Sequence, residues 1–307
     1  MPSPTVPARG DTLDPGAGPE LRLSIGAIAI AVASAGRDLT LTAPPAVARF
    51  VVSGGTPDIR VEAAWRADPL PAAGRLLFDS GGLWQLHEAG RQLAWTFRSP
   101  VFGSEPYKTA IFDRDFSSGS VYLHAPYFDP RVALYPLEYP LDELLLTNWL
   151  ALGRGVEIHA CAVRDRDGSG YLFAGHSGAG KTTMATLWQH AAGATILSDD
   201  RVILREADGR IWMHGTPWHG DEPLASPTCT PLTRGFFLGH AAHNRVTAVP
   251  PTQAVAALFA RAFPPFYSLQ GLAFTLSFLE GVSRLAPFAD LGFVPAAGTI
   301  DFVRSCR

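Results

Sequence analysis

The chain contains the stretch Tyr171-Leu-Phe-Ala-Gly-His-Ser-Gly-Ala-Gly-Lys-Thr-Thr183, in which a short apolar run leads directly into a glycine-rich loop. Residues 175–182 fit the pattern G-x-x-x-x-G-K-[ST] at every fixed position. The glycines let the backbone turn tightly, so that successive N–H groups converge on phosphate oxygens. The spacing of Met184, Leu187 and Trp188 predicts a helix after the loop, with its N-terminus facing the anion. We therefore expect an α/β fold with a phosphate-binding loop between a buried strand and a helix.

The loop carries the residue types that hold a nucleoside triphosphate. Lys181 supplies a positive charge for the β- and γ-phosphates, and the hydroxyl of Thr182 is placed to bind Mg²⁺. ATP and Mg²⁺ are therefore the expected ligands. The residues predicted to contact the nucleotide are Gly175, His176, Ser177, Gly178, Ala179, Gly180, Lys181, Thr182 and Thr183. A purely structural glycine-rich turn is the alternative, which the flanking strand and helix disfavour.

The composition excludes several classes of protein. Of 307 residues, 47% are hydrophobic and 17% are charged, which is enough for a large core and argues against global disorder. The net charge of −3 gives no electrostatic reason to expect nucleic acid or an anionic membrane as a partner. Cys161, Cys229 and Cys306 are too few and too scattered for a disulfide framework or a zinc site. Such cysteine usage is typical of a reducing cytosol.

One apolar stretch, Ile25–Ala35, has the look of a signal peptide. It follows a segment that contains Asp11, Asp14 and Glu20, and it is too short to span a bilayer. We interpret it as a β-strand and expect a cytoplasmic protein without a membrane segment.

The rest of the sequence predicts three regions. Residues 1–20 are rich in proline and glycine and are expected to be a disordered leader. Residues 21–139 alternate short apolar runs with turn signals, which predicts a β-rich accessory domain, including a hairpin over Leu83–Phe97. A proline-containing joint at Tyr135–Pro140 and an apolar helix over 141–152 begin the predicted catalytic domain, residues 140–307.

A second predicted strand, residues 156–163, is joined to the loop strand by a short polar turn. If this turn is centred near Asp167, Val163 faces Tyr171 and His159 falls opposite Gly175. His159 would then lie beside the mouth of the phosphate loop. A shift of one residue would turn its side chain to the other face of the sheet, so a core histidine stays the alternative.

Two adjacent carboxylates end the next predicted strand, Thr195–Ser198. A carboxylate at the end of a strand beside a phosphate loop is placed to handle Mg²⁺ or the proton of a nucleophile. Asp199 and Asp200 should point to opposite sides of an extended chain and so divide these tasks. The sequence does not say which of them is the base and which is associated with the metal.

The later part of the chain offers weaker candidates. His214, His219, Asp221 and Glu222 cluster in one predicted loop, but their spacing is not that of a zinc site. Helices are predicted over 252–263 and 267–284, and a last strand pair over 290–294 and 299–303. Two arginines in predicted loops, Arg234 and Arg245, are candidate phosphate clamps.

His159, the loop Gly175-x-Ser-Gly-x-Gly-Lys-Thr182 and Ser198-Asp-Asp200 together resemble the catalytic domain of HPr kinase/phosphorylase. More closely, they are similar to the HPr-kinase-related kinases of bacterial biosynthetic clusters, including those that modify lasso-peptide precursors. The resemblance covers roughly residues 140–307, and the first half is similar to the accessory domain of those relatives. It implies a phosphoenolpyruvate-carboxykinase-like fold.

The resemblance also implies roles for individual residues. Lys181 would bind phosphate and Thr182 would bind Mg²⁺, while Asp200 would accept the proton of a seryl hydroxyl, with assistance from His159 and with Asp199 beside it. The family's Lys-Ser-Glu is Lys181-Thr-Thr183 here, and its second glycine-rich signature is replaced by a segment near His214–Pro217. These departures favour a kinase over a phosphorylase.

The resulting expectation is an ATP-dependent kinase whose acceptor is a serine of a peptide or protein. Nucleic acid and membranes are not expected as partners, and a homo-oligomer is possible because HPr kinases form hexamers. One alternative is a kinase for a small molecule such as a free amino acid. Another is a non-catalytic nucleotide-binding regulator, which Asp199 and Asp200 disfavour because a sensor needs no proton acceptor.

Overall fold

A computed structural model describes residues 20–36, 38–70, 74–220, 224–296 and 298–306. The predicted leader lies outside these ranges except for Glu20. The described residues form a mixed α/β structure with two large mixed sheets and few helices. None of the helices in these ranges is both long and apolar enough to cross a membrane.

The first sheet contains the first eight strands of the chain. These are β1 (Glu20–Ile25), β2 (Ile28–Ser34), β3 (Ile59–Arg66), β4 (Arg75–Asp79), β5 (Trp84–Ala89), β6 (Gln92–Phe97), β7 (Lys108–Asp113) and β8 (Ser118–His124). Their order is β1-β2-β3-β8-β7-β6-β5-β4, and a short helix, α1 (Pro45–Ala48), lies between β2 and β3 in the sequence. Most of the Ile25–Ala35 stretch forms strand β2, as predicted, although its first residue ends β1 and a turn at residues 26–27 precedes β2. Strands β5 and β6 form the predicted hairpin.

The second sheet follows helix α2 (Leu141–Leu150). Its strands are β9 (Val156–Arg164), β10 (Gly170–Ala174), β11 (Thr195–Ser198), β12 (Arg201–Ala207), β13 (Arg210–Gly215), β14 (Cys229–His240), β15 (Arg245–Ala248) and β16 (Phe288–Phe293). The other helices are α3 (Lys181–Gln189), α4 (Pro251–Phe259), α5 (Leu269–Leu285) and α6 (Gly298–Ser305). The strand order is β10-β9-β12-β13-β14-β16-β15; β11 pairs with β9, and β10 also pairs with β14. This last pairing closes a ring of strands from β10 through β9, β12, β13 and β14.

The end of the chain differs from the predicted strand pair. The segment 299–303 lies in helix α6, and β16 pairs with β14 and β15 instead. Thr299, Ile300 and Val303 are buried on one face of that helix. Their β-branched side chains favour a strand locally, but burial of this face decides the conformation. Arg234 and Arg245 also lie in strands, β14 and β15, rather than in loops.

An apolar core connects the first sheet to the elements that carry the loop. Buried side chains of the first sheet pack with those of α2, and Ile203 and Trp218 from the second half join the same cluster. The guanidinium of Arg205 in β12 also donates to the backbone carbonyls of Gly26 and Ala27, at 3.1 and 2.9 Å. The two sheets are therefore packed together, and the division of the chain at residue 140 stays a prediction.

Candidate functional site

The glycine-rich segment forms a loop between strand and helix, as predicted. Strand β10 ends at Ala174, and α3 begins at Lys181. Gly178 and Gly180 have φ angles of 79° and 98°, in the left-handed region that residues with a side chain rarely adopt. A Cβ atom at Gly180 would lie only 2.7 Å from Cζ of Phe293. The tight loop therefore requires the glycine before the lysine.

Helix α3 is fixed by its apolar face. Met184, Ala185 and Trp188 are fully buried against the sheet, where Trp188 contacts the rings of Tyr171 and Phe173. Burial of one large apolar side chain stabilises a fold by about 2 kcal/mol. This packing holds the N-terminal residues of α3 in a fixed position relative to β10.

The ammonium group of Lys181 lies inside its own loop. Its Nζ atom donates to the carbonyl oxygens of Gly175 at 3.1 Å and His176 at 3.4 Å. Burial lowers the pKa of Lys181, while the negative charge of Asp200 raises it, and the net direction is downward. The loop is also held from outside, because Nε2 of His240 donates to the carbonyl of Gly178 at 2.9 Å. A positive charge thus lies inside the glycine-rich loop.

The predicted register, with Val163 opposite Tyr171, is confirmed in the antiparallel ladder of β10 and β9. The ladder ends at the pair Ala174–Ala160, one residue before the predicted pair of Gly175 and His159, and His159 pairs with Arg201 of β12. Nε2 of His159 lies 2.8 Å from Oδ1 of Asp200, so the imidazole faces the site and is not a core histidine.

Asp200 is held between two partners. One carboxylate oxygen contacts His159, and the other accepts a hydrogen bond from Nη1 of Arg201. Burial raises the pKa of Asp200, but the hydrogen bond from His159 and the positive charges of Arg201 and Lys181 outweigh it, so the pKa is lower than usual. Asp200 is therefore ionised at neutral pH and has the charge that a proton acceptor needs.

Asp199 has a different environment, as expected for adjacent residues of an extended chain. It is 1% exposed, and its Oδ1 accepts a hydrogen bond from the backbone N–H of Gly220 at 3.1 Å. Its Oδ2 has no hydrogen-bond partner among the residues that the structure describes. Burial is the main reason why the pKa of Asp199 is raised. A buried carboxylate oxygen without a donor fits a cation or a cation-bound water.

The described ranges contain no group of three or more histidine, cysteine or acidic residues arranged to hold a metal ion. Mg²⁺ commonly keeps several waters and binds through one or two protein groups together with substrate phosphates. Thr182, the second residue of helix α3, lines the loop cavity and fits this sparse kind of site, whereas Asp199 does not line that cavity.

Arg201 is a member of the site that the sequence patterns did not reveal. Its Nε lies 2.8 Å from Oε1 of Glu143 in α2 and 3.6 Å from Oε1 of Glu157 in β9. Its guanidinium also bonds Asp200 and lies 4.3 Å from the ring centre of Phe263. In the sequence, the position of Arg201 directly after Asp199-Asp200 is the one local sign of its role. Its partners Glu143, Glu157 and Phe263 are distant in the sequence, so no local pattern indicates these contacts.

These side chains surround a cavity of about 480 Å³, which we call the loop cavity. The residues that line it are His159, Ser177, Gly178, Gly180, Lys181, Thr182, Thr183, Asp200, Arg201, Gly220 and His240. Its volume lies within the range of typical small-molecule sites, roughly 300–1,000 Å³. The cavity thus brings together a phosphate loop, a lysine, and a carboxylate–histidine pair.

Several predicted site residues lie elsewhere. His214 is in β13 and lines no part of the loop cavity, and burial lowers its pKa to about 4. Arg234 donates to the backbone carbonyl of Cys306 at 2.5 Å, so the proposed phosphate clamp was wrong for this residue. Arg245 does not line the loop cavity either. Asp221 and Glu222 lie outside the described residues.

Comparison of the chain with protein-family models and with curated proteins finds no match. The resemblance to HPr kinases therefore depends on the residues quoted above.

Proposed function

We propose that this protein is an ATP-dependent kinase that transfers the γ-phosphate of ATP to a hydroxyl group, namely that of a serine in a peptide or protein. The observation that carries the proposal is the position of Asp200, whose Oδ1 lies 2.8 Å from Nε2 of His159 in the same cavity as Lys181 and the glycine-rich loop. A nucleotide sensor needs the loop but has no use for a positioned proton acceptor. We further propose that the fold is phosphoenolpyruvate-carboxykinase-like and that the kinase acts in the cytoplasm.

In this proposal the loop residues bind the triphosphate. Backbone N–H groups of residues 175–183 surround the phosphate oxygens, and Lys181 exchanges its bonds to the carbonyls of Gly175 and His176 for bonds to the β- and γ-phosphates. Thr182 would hold Mg²⁺, and Asp199 would contact it directly or through water. When bound, Mg²⁺ neutralises the charge that develops on the phosphate oxygens.

Asp200 acts on the acceptor. Its carboxylate takes the proton of the acceptor hydroxyl as the hydroxyl oxygen forms a bond to the γ-phosphorus. The bond between the γ-phosphorus and the β–γ bridging oxygen breaks, and ADP leaves with that electron pair. His159 holds Oδ1 of Asp200 in position through its Nε2 atom. The products are ADP and a phosphate monoester.

Two alternatives use the same cavity. A small-molecule kinase would need the same base and loop but a free hydroxyl compound as acceptor. A regulator would bind the nucleotide and transfer nothing. Transfer assays separate both from the proposal, because only a peptide kinase labels a peptide serine.

Replacement of Lys181 by Met should weaken the binding of MgATP about 100-fold, because the buried positive charge for the phosphates is lost. Isothermal titration calorimetry with MgATP measures this change. The exposed Gln189→Met, at the other end of the same helix and outside the loop cavity, is the matched control and should bind like the wild type. Equal affinity of Lys181→Met and the wild type would contradict the assignment of the loop.

A further inference from the structure

A second cavity, of about 440 Å³, adjoins the loop cavity. Asp200 and Arg201 line both, so they form a common wall between the two cavities. In phosphoryl transfer the attacking and leaving oxygens lie roughly in line on opposite sides of the phosphorus. An acceptor in the second cavity would therefore reach Asp200 from the side away from the nucleotide.

The second cavity is built from both halves of the chain. Ala46 and Val47 in α1, together with Tyr135, Glu138, Tyr139 and Asp142, come from the first half and from the start of α2. Trp218 and His219 come from the loop after β13. Helix α1 with the residue before it, and the segment 135–142, thus contribute one wall of the cavity that faces the proposed base.

Acidic groups outnumber basic groups along this wall. Glu138 and Asp200 supply carboxylates, whereas burial raises the pKa of Asp142 to about 7, so that its carboxyl group is only partly charged at neutral pH. Among the described residues, Arg201 is the sole lysine or arginine that lines the cavity, and its guanidinium already bonds Asp200 and Glu143. An anionic acceptor in this cavity would therefore face carboxylates and would find no unpaired lysine or arginine among the described lining residues.

Glu138 remains able to attract a ligand. Its Oε1 lies 3.1 Å from Nζ of the buried Lys108, but its side chain is 45% exposed. Tyr139, next to it, is 63% exposed, and Trp218 provides a further aromatic surface. Carboxylates beside aromatic rings attract ammonium and guanidinium groups by charge and by cation–π interaction.

We propose that the second cavity binds the phosphate acceptor and selects one that carries a positive charge beside its hydroxyl, namely a serine flanked by lysine or arginine. This inference rests on the proposed kinase function and adds the chemical class of the acceptor. The first half of the chain then serves to recognise the acceptor.

The test uses the full-length protein, γ-labelled ATP with Mg²⁺, and three peptides that place lysine, alanine or glutamate beside a central serine. Ethanolamine, a small cationic alcohol, forms a fourth reaction. We expect kcat/KM for the lysine peptide to exceed that for the glutamate peptide by about 30-fold at low salt, and the ratio to fall as salt rises. Faster labelling of ethanolamine than of the lysine peptide would overturn the inference that the acceptor is a peptide, although it would agree with a preference for a positively charged acceptor.

Charge changes at Ala46 test the location. Ala46→Lys should lower the ratio of kcat/KM for the lysine peptide to kcat/KM for the glutamate peptide about tenfold, and Ala46→Glu should raise this ratio. A variant that is merely misfolded slows both peptides together and leaves their ratio unchanged. Equal rates for all peptides in the wild type, or transfer to another of the acceptors but not to the lysine peptide, would overturn the inference. Failure to bind MgATP, or binding of MgATP without transfer to any hydroxyl acceptor, would instead overturn the proposed function.

Discussion

Asp200→Asn should slow phosphoryl transfer by about a thousandfold, within the range for the loss of a general base. An asparagine has nearly the same shape as an aspartate but cannot take the proton of the hydroxyl. The affinity for MgATP should change by less than about threefold, because Lys181 and the loop are intact. Transfer from γ-labelled ATP and calorimetry with MgATP measure the two effects separately.

The matched control is Asp208→Asn. Asp208 lies at the exposed turn between β12 and β13 with a φ of 52°, a conformation that asparagine tolerates. This variant should transfer phosphate at the wild-type rate. Normal transfer by Asp200→Asn would show that the assignment of the base is wrong.

Arg201→Met should lower the free energy of unfolding by about 3 kcal/mol at pH 8, the size expected when one partner of a buried ion pair is removed. Glu157 is 1% exposed, and Arg201 is the cation nearest to it, at 3.6 Å. Without Arg201, the carboxylates of Glu157 and Glu143 would face each other without a positive charge between them. Urea unfolding followed by fluorescence measures the loss.

The loss of stability in Arg201→Met, relative to the wild type, should become smaller as the pH falls. Burial, together with the nearby Glu143, already raises the pKa of Glu157, and removal of Arg201 raises it further. The folded variant therefore binds more protons than the unfolded chain, so its stability increases as the pH falls. Arg205→Met on the same strand is the control, because Arg205 bonds backbone carbonyls and not carboxylates. An equal, pH-independent loss in both variants would contradict this account of Arg201.

The strand, loop and helix around Lys181 were predictable because their signals are local. The glycines, the lysine and the apolar spacing of Met184 and Trp188 all lie within one short segment. The position of His159 was predictable for a related reason, since a short turn fixes the register of the two strands that it connects. Each of these predictions needed no knowledge of distant residues.

The features that were missed depend on distant residues. Arg201 meets Glu143 from α2 and Phe263 from the segment after α4, a combination that no local pattern indicates. The second cavity likewise combines α1, the start of α2 and the loop after β13. Segment 299–303 was misassigned because its β-branched residues favour a strand, whereas packing against the sheet made it a helix.

The central claim, that the loop cavity is a phosphoryl-transfer site, is tested most directly by the fate of the γ-phosphate. The wild type is incubated with Mg²⁺, γ-labelled ATP and the peptides encoded beside its gene, and the labelled peptide is analysed by mass spectrometry. We predict a phosphate ester on a serine hydroxyl, which forms with Mg²⁺ and forms about a thousandfold more slowly when Asp200→Asn replaces the wild type. A wild-type protein that binds MgATP but labels no hydroxyl acceptor would contradict the claim and favour a nucleotide-binding regulator.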